Sequence, residues 1–511
     1  MTQPGRASSR TMTRDQQDLG GFGYTPALRR ALGPLGSFAV AFSMISVTTG
    51  IFFLFSGVFT TTGGWGIWLW LPVAAGLLLI VLVYMHLGAR IPLTGYAYQW
   101  NSRLVGAHYG WFTGWTALLA FMTGTASIAV SVATVFAPEI WTSPSKGQVV
   151  LLATVVIVAA AVFNIISIRA TALVNNLGVS FEIAGSVIAT LIVILGAIFF
   201  FKHSEGIKVL GQSGPVGGGP VNLTAIALAA LLPVYVLIGW EGAADLAEET
   251  IEPRLATPKA MLRASVLSIV VSLFMIIGFS VAIPHGVPAM INQAENPLFY
   301  IFRSQVGAGA VAVLKVIVFI AMFSCLLANM AVGTRMSFSL ARDGMLPASR
   351  LLAWTSPKTY TPVFSVILVA AVALAVNLLS AGIATRVVSI ASVCYYGTYA
   401  LTLLAAYLAA RRNRLPDTVP GGFSLGRWLT PIAVAGAAWA IVIIVALVAP
   451  AVNHITAEYA VGAELLGFLW WLLYLRPRLD RGELGVAQAR AEPPASASVS
   501  AGALTAEGVS S

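Results

Sequence analysis

Charged residues are scarce in this sequence: they make up 9% of its 511 residues, whereas 58% are hydrophobic. Soluble domains carry about 25% charged residues, and a soluble chain of this length usually divides into domains joined by polar linkers. Here the polar stretches are short. Apolar runs long enough for the roughly 20 residues that cross a bilayer recur from about residue 36 to about residue 475. The shortage of charge therefore predicts one all-α membrane domain between two polar tails.

Cysteine is also rare, and the only two, Cys325 and Cys394, fall inside apolar runs. This excludes a disulfide framework and a cysteine metal cluster, and predicts small apolar packing residues. The chain shows no paired-histidine zinc motif and no Ser–Gly elbow, so we expect neither an enzyme nor a bound cofactor. A channel would need a filter loop or a ring of charges, and the sequence has neither.

The apolar runs predict about twelve spans, the first of which begins near Ser37 and is too long for a signal peptide. Their predicted centres are residues 48, 77, 123, 158, 190, 232, 272, 322, 371, 396, 439 and 466. An even number of spans places both tails on one side. With that side cytoplasmic, 23 of the 29 basic residues fall on it, as the positive-inside rule requires.

The net charge of +10 is thus explained by topology in the plasma (inner) membrane, and we expect lipid rather than nucleic acid as a partner. The predicted organisation is a cytoplasmic tail at 1–35, a permease domain at 36–475 and a disordered cytoplasmic tail at 476–511. We expect a monomer or a homodimer.

Two spans contain polar residues and helix breakers where a membrane helix is normally apolar. The first is interrupted at Ser46–Gly50, and the sixth at Ile238–Glu241. Unpaired backbone groups in hydrocarbon cost several kcal/mol each, so a broken helix is tolerated only inside protein or along a cavity. Five spans separate the two interruptions, which is typical of two inverted five-helix repeats whose broken helices meet at a binding site.

The repeats would occupy 36–202 and 223–410, with accessory helices at 429–475. Glycine, serine and threonine also allow close helix packing, which is the alternative interpretation of either interruption alone.

Four motifs give the chain a resemblance to a known family. Residues 239–258 resemble the span-six signature of the amino acid–polyamine–organocation permeases, with an acid, then Ala-Glu-Glu, then proline. Residues 341–347 resemble the loop after span eight, and 92–98 the entry to span three, although the second glycine of that motif is absent. Residues 42–50 are most similar to the amino acid/choline branch, which includes GABA permeases. The resemblance covers about residues 36–475 and implies a permease with two broken helices.

The resemblance also implies a substrate site at the two breaks. The helix N-terminus after the first break would bind a carboxylate. Free carbonyl groups of the second break would receive an ammonium group, and Trp240 would either add a cation–π contact or pack on neighbours. Tyr235 corresponds to an aromatic gate, and Thr125, Ser324 and Asn329 are further candidates. The implied substrate-binding residues are Val47, Thr48, Thr49, Gly50, Thr125, Tyr235, Ile238, Gly239, Trp240 and Asn329.

Two carboxylates at membrane depth suggest proton coupling, since such residues are costly in a bilayer. Glu241 lies at the second break, and in the family this acid is thought to link gating to protonation. Glu182 lies in span five, where several proton-coupled relatives carry a lysine. A desolvated carboxylate holds a proton more tightly than one in water, so either residue could carry one. The alternative for Glu182 is a structural hydrogen bond.

The expected function is import of an amino acid or related small amine by proton symport with alternating access. Alternatives are a polyamine, choline or ethanolamine permease, an exchanger, and a sensor that does not transport. The acidic run Asp245, Glu248, Glu249 and Glu252 predicts an inner gate together with Arg342 and Asp343.

Overall fold

The protein is described from a computed structural model, which covers residues 19–24, 28, 30, 32–166, 168–199, 204–216, 218–379 and 384–486, with only the backbone of 168–174. Twelve helical segments follow one another in the order predicted. Nine helices in the described part are long and apolar enough to cross a membrane, and Leu223–Val236 and Val363–Leu379 are shorter apolar helices. The prediction of an all-α multi-pass membrane protein is confirmed.

The twelve segments are numbered here as spans in chain order, and spans 1 and 6 each consist of two helices. The bounds are 1a Pro34–Ile45, 1b Val47–Thr61, 2 Trp70–Gly88, 3 Ala107–Ile140, 4 Lys146–Ile166, 5 Ile168–Phe199, 6a Leu223–Val236, 6b Gly242–Asp245, 7 Pro253–Val281, 8 Ala308–Arg342, 9 Val363–Leu379, 10 Ala384–Arg411, 11 Leu429–Val448 and 12 His454–Trp470. Short α-helices at Tyr96–Leu104, Val287–Ile291, Pro297–Val306, Ser349–Leu352 and Arg476–Asp480 connect or extend the spans.

The two broken spans lie inside the bundle. Helix 1a packs on span 7 and helix 1b on helix 6a, while spans 3, 5, 8 and 10 surround them. Large lipid-facing side chains concentrate on spans 4, 5, 11 and 12 instead. This arrangement agrees with the requirement that irregular backbone at membrane depth be buried in protein.

The described part of each polar tail packs against this bundle. Residues 1–18 and 487–511 lie outside the described residues. Residues 19–24, by contrast, pack against the helices, since Leu19 and Tyr24 are buried. The segment predicted as an N-terminal tail therefore contains a short part that contacts the permease domain. Residues 19–24 and 476–486 lie on the same side of the bundle, which we call the tail side: the Gly485 N–H donates to the Asp343 carbonyl, and Tyr24 reaches the Asp343 carboxylate.

Helices 1b and 6a approach closely at Gly50. A Cβ added there would lie 2.3 Å from Cγ2 of Val236 and 3.3 Å from its Cα. Gly50→Ala should therefore destabilise the protein by about 1–3 kcal/mol through overpacking, and Val236→Ala in the same chain should recover part of the loss. The measurement is thermal unfolding in detergent.

Gly57 provides a matched control on the same helix, because a Cβ there meets nothing within 4 Å. Gly57→Ala should leave the unfolding temperature unchanged or raise it. Equal destabilisation by Gly50→Ala and Gly57→Ala would contradict the close approach of helices 1b and 6a.

Candidate functional site

The break in span 1 is a single residue, Ser46. Its backbone is left-handed (φ 36°, ψ 79°), and helix 1b begins at the next residue. The Ser46 hydroxyl accepts the Thr49 N–H at 3.2 Å and lies 2.5 Å from the Thr49 hydroxyl. Ser46 thus ends helix 1a and caps helix 1b. The interruption predicted over Ser46–Gly50 is shorter in the structure, where Val47–Gly50 form the first turn of helix 1b.

The break in span 6 covers Leu237–Glu241, which includes the predicted interruption Ile238–Glu241. Gly239 has φ 109°, a conformation that glycine adopts at little cost. A Cβ on Gly239 would lie 2.8 Å from both the carbonyl carbon and the oxygen of Met44. The two breaks therefore touch through their backbones, and this contact depends on the missing side chain at 239.

A small cavity lies where the breaks meet. Spans 1, 3, 6, 8 and 10 all contribute to its wall, and none of the lining side chains is an acid or a base. The lining residues are Met44, Ile45, Ser46, Thr49, Gly124, Ser127, Ile128, Tyr235, Ile238, Gly239, Cys325, Asn329 and Tyr395. The cavity is therefore neutral and mixed in polarity.

The structure brings half of the predicted binding residues to this cavity. Those that line it are Thr49, Tyr235, Ile238, Gly239 and Asn329. Those that do not are Val47, Thr48, Gly50, Thr125 and Trp240. Among the second group, Thr125 lies directly behind the wall, where its hydroxyl accepts a hydrogen bond of 2.9 Å from the Asn329 amide.

Trp240 illustrates the packing interpretation. Its ring stacks on Tyr399 with a centroid separation of 5.3 Å and meets Tyr84 edge-on at 4.9 Å. The side chain is fully buried among these rings of spans 2 and 10. In this conformation Trp240 holds the span 6 break in place and has no face directed to the cavity wall.

Glu182 contacts the first break from span 5. Its Oε1 accepts the Thr48 N–H at 3.0 Å, and the side chain is 1% exposed. The carboxylate therefore sits at the N-terminus of helix 1b, where the helix dipole favours a negative group. Thr48 is thus bonded to a protein carboxylate, and its neighbour Thr49 lines the cavity.

Glu241 makes the equivalent contact at the second break. Its Oε2 accepts the Gly239 N–H at 3.2 Å and the Tyr399 hydroxyl at 2.9 Å. Its Oε1 is buried without a hydrogen-bond partner among the described residues. A buried carboxylate therefore accepts one backbone N–H at each break, at Gly239 within the second break and at Thr48 in the first turn of helix 1b, beside the first.

Several lining residues were missed by sequence reasoning. Tyr395, Ser127 and Gly124 lie on the unbroken spans 10 and 3, and Ser46 was predicted only as part of the interruption. Tyr395 donates to Asn329 Oδ1 at 2.7 Å, and Ser127 is 3.0 Å from the Tyr235 hydroxyl. In the sequence, these lining residues are marked only by polar residues one helical turn apart within apolar spans. This pattern is a weak indicator of a binding site because such residues often bond only to their own helix.

Ion pairs and charge-assisted hydrogen bonds join the spans on the tail side. Arg342 donates to both oxygens of Glu248 at 3.0 Å, and Arg335 pairs with Glu249 at 2.8 Å. The Asp343 carboxylate accepts the hydroxyls of Tyr24, at 2.8 and 2.9 Å, and of Tyr98, at 2.7 Å. Four of the predicted gate residues, Glu248, Glu249, Arg342 and Asp343, are thus joined in contacts on the tail side, with Arg335 and the Tyr24 segment as additional members.

Comparison with known proteins agrees with this architecture. The model of the family described as amino acid permease matches residues 32–470. The chain belongs to the amino acid permease family. The relatives of this permease include the amino-acid permease BAT1 of Arabidopsis thaliana, 25% identical over 480 residues, which covers 88% of this chain and 90% of that protein.

A BAT1 homolog from Oryza sativa subsp. japonica is 27% identical over 500 residues, covering 89% of the permease and 92% of the relative. The low-affinity putrescine importer PlaP of Escherichia coli (strain K12) is 22% identical over 344 residues, covering 66% and 73%. These relatives are named as permeases or as an importer, and the family match together with the apolar helices makes this chain a multi-pass membrane protein.

The buried pair Arg342–Glu248 generates a stability prediction. Their side chains are 14% and 2% exposed, and removal of one partner of a buried pair leaves an uncompensated charge. Glu248→Ala should lower the free energy of unfolding by about 3–5 kcal/mol, measured by denaturation in detergent. Glu483→Ala, in an exposed pair with Arg481, is the control and should change little. A Glu248→Ala protein as stable as the control would contradict the buried pair.

Proposed function

We propose that this permease imports an amino acid or a related small amine by proton symport with alternating access. The observation that carries the proposal is the neutral cavity between the two breaks, with one buried carboxylate bonded to the first turn of helix 1b and another to the backbone of the second break. The cavity supplies a substrate site, and Glu182 and Glu241 supply groups that can change charge without contacting bulk water. The proposed orientation has both termini in the cytoplasm and the protein in the plasma membrane.

The cavity favours a zwitterion or a monoamine over a diamine. A diamine has two ammonium groups, whereas the lining residues include no carboxylate to balance the second. The relative PlaP is named as a putrescine importer, so an amine permease is the alternative candidate. Exchange of two substrates is the other alternative, because the same cavity serves either mode.

A direct test starts from the purified full-length chain. A thermal-shift screen against the twenty amino acids, 4-aminobutyrate, choline, ethanolamine and putrescine should identify ligands. Counterflow of a labelled ligand into proteoliposomes should then demonstrate transport. Binding without counterflow would favour a sensor, and no binding by any of these compounds would refute the proposed substrate class.

Proton coupling is tested with an imposed pH gradient. An inside-alkaline gradient should accelerate uptake into proteoliposomes, since protons then move down their gradient with the substrate. Glu182→Gln or Glu241→Gln should abolish this acceleration, because glutamine cannot exchange a proton. Transport by a coupling mutant should persist in counterflow, which needs no net proton movement.

Glu464→Gln is the matched control. Glu464 is a partly buried carboxylate in span 12 that accepts a hydrogen bond from Thr116, whereas Glu182 and Glu241 are fully buried and accept backbone N–H groups at the breaks. The control should respond to the gradient as the unmodified protein does. Uptake that ignores the gradient, or a full response in both coupling mutants, would refute symport through Glu182 or Glu241.

A further inference from the structure

The hydrogen bonds in the cavity wall have a consistent direction. On the side formed by spans 3, 8 and 10, the Asn329 amide nitrogen lies 3.0 Å from the Phe121 carbonyl and 2.9 Å from the Thr125 hydroxyl. Since the Phe121 carbonyl can only accept, the nitrogen rather than the oxygen of this amide must face it. The Thr125 hydroxyl donates to the same carbonyl and therefore accepts from Asn329.

The orientation of Asn329 fixes that of Tyr395. Both amide hydrogens of Asn329 are used, and its Oδ1 can only accept. The Tyr395 hydroxyl, 2.7 Å from Oδ1, must donate its hydrogen there. Asn329 and Tyr395 therefore have only oxygen lone pairs, which accept hydrogen bonds, to offer to the cavity.

Tyr235 follows the same rule. With the Ser127 hydrogen directed to the Gly124 carbonyl at 2.8 Å, the Ser127 oxygen is the acceptor for the Tyr235 hydroxyl at 3.0 Å. The nearby backbone donor is also used, because the Gly239 N–H is bonded to Glu241. Tyr235, Asn329 and Tyr395 therefore form a side of the cavity that offers acceptors, and we call it the acceptor side.

The opposite side, at the span 1 break, retains a donor. The Ser46 and Thr49 hydroxyls share one hydrogen bond, and the second hydrogen of the pair has both the buried Glu182 carboxylate and the cavity as possible acceptors. The N-terminus of helix 1b also favours a negative group here. Buried carboxylates lie behind both sides: Glu182 accepts the Thr48 N–H at the N-terminus of helix 1b, and Glu241 accepts the hydroxyl of Tyr399, whose ring centroid is 6.4 Å from that of Tyr395.

We propose that Tyr235, Asn329 and Tyr395 determine specificity by receiving the ammonium group of a zwitterionic substrate and rejecting groups that only accept hydrogen bonds. This inference rests on the transport function proposed above. An ammonium group has donors and no acceptor, so it satisfies these oxygens. A carboxylate on this side would face lone pairs alone and remain buried without a partner, which is the costly case.

The first experiment compares ligands that differ only in the ammonium group. Alanine is paired with propionate, and 4-aminobutyrate with butyrate and with succinate, in a competition assay on the full-length protein. The amino compounds should bind at least about 100-fold more tightly than their partners, as expected where a site is built around one hydrogen-bonding group. Putrescine, which lacks the carboxylate, should bind more weakly than 4-aminobutyrate.

The second experiment removes single acceptors. Tyr235→Phe and Tyr395→Phe should each weaken binding of the amino compound by about 10-fold or more, as for a hydrogen bond to a charged group. Binding of the matched compound that lacks the ammonium group should change little. The ratio of the two binding affinities, amino compound over matched compound, should therefore fall. Tyr396→Phe is the control: this neighbouring tyrosine is buried, does not line the cavity and has no partner for its hydroxyl among the described residues.

The outcomes separate this inference from the proposed function. If amino compounds bind but propionate, butyrate or succinate compete equally well, the acceptor side does not select ammonium. The same conclusion follows if the ratio of affinities for the amino compound and its partner is the same in Tyr235→Phe, Tyr395→Phe and Tyr396→Phe. If neither the amino acids nor putrescine binds, the proposed function fails and the inference fails with it.

Discussion

The contact between the two broken spans is the constraint on which the rest of this structure depends. A break leaves backbone groups that hydrocarbon cannot satisfy, so each must find partners inside the protein. Gly239 solves part of this problem by allowing its backbone to lie against Met44. Ser46 caps helix 1b, and the carboxylates of Glu182 and Glu241 each accept one N–H. The cavity exists because these contacts hold the two breaks together without filling the space beside them.

The same constraint explains why so much of the fold was predictable from the sequence. Hydrocarbon requires each span by itself to be apolar and to satisfy its backbone hydrogen bonds. The length of each apolar run and the places where polar residues or helix breakers interrupt it are therefore visible in the sequence. The break in span 6 was located closely for this reason, since proline, glycine and a carboxylate mark it. The predicted break in span 1 is too long because polar residues do not by themselves unwind a helix, as Thr48 and Thr49 show. Both are helical, and their polar groups are used by Glu182 and Ser46.

The cavity wall was harder to predict because it depends on which face of a helix points inward. Tyr395 lies on an uninterrupted span, and nothing in its neighbourhood distinguishes it from Tyr396, which faces away from the cavity. Trp240 shows the opposite error. It directly follows Gly239, yet the turn of the backbone at that glycine directs the ring toward Tyr399 and Tyr84. A position close to a break in the sequence therefore identifies the backbone that lines the site more reliably than it identifies the side chains that line it.

The position of the two carboxylates also restricts how coupling would work in the proposed symport. Neither Glu182 nor Glu241 lines the cavity, so their charge acts on the backbone of the breaks rather than on the substrate by contact. Hydrogen bonds to an ionised acceptor are roughly twice as strong as neutral ones. A proton on Glu182 would thus weaken the bond from span 5 to Thr48, and a proton on Glu241 would weaken those to Gly239 and Tyr399. Since the broken helices form the cavity wall together with spans 3, 8 and 10, a change in these bonds alters the site that the substrate occupies. Coupling through the breaks needs no ionisable group in the wall, which leaves the wall free to be neutral and to select the substrate by the direction of its hydrogen bonds.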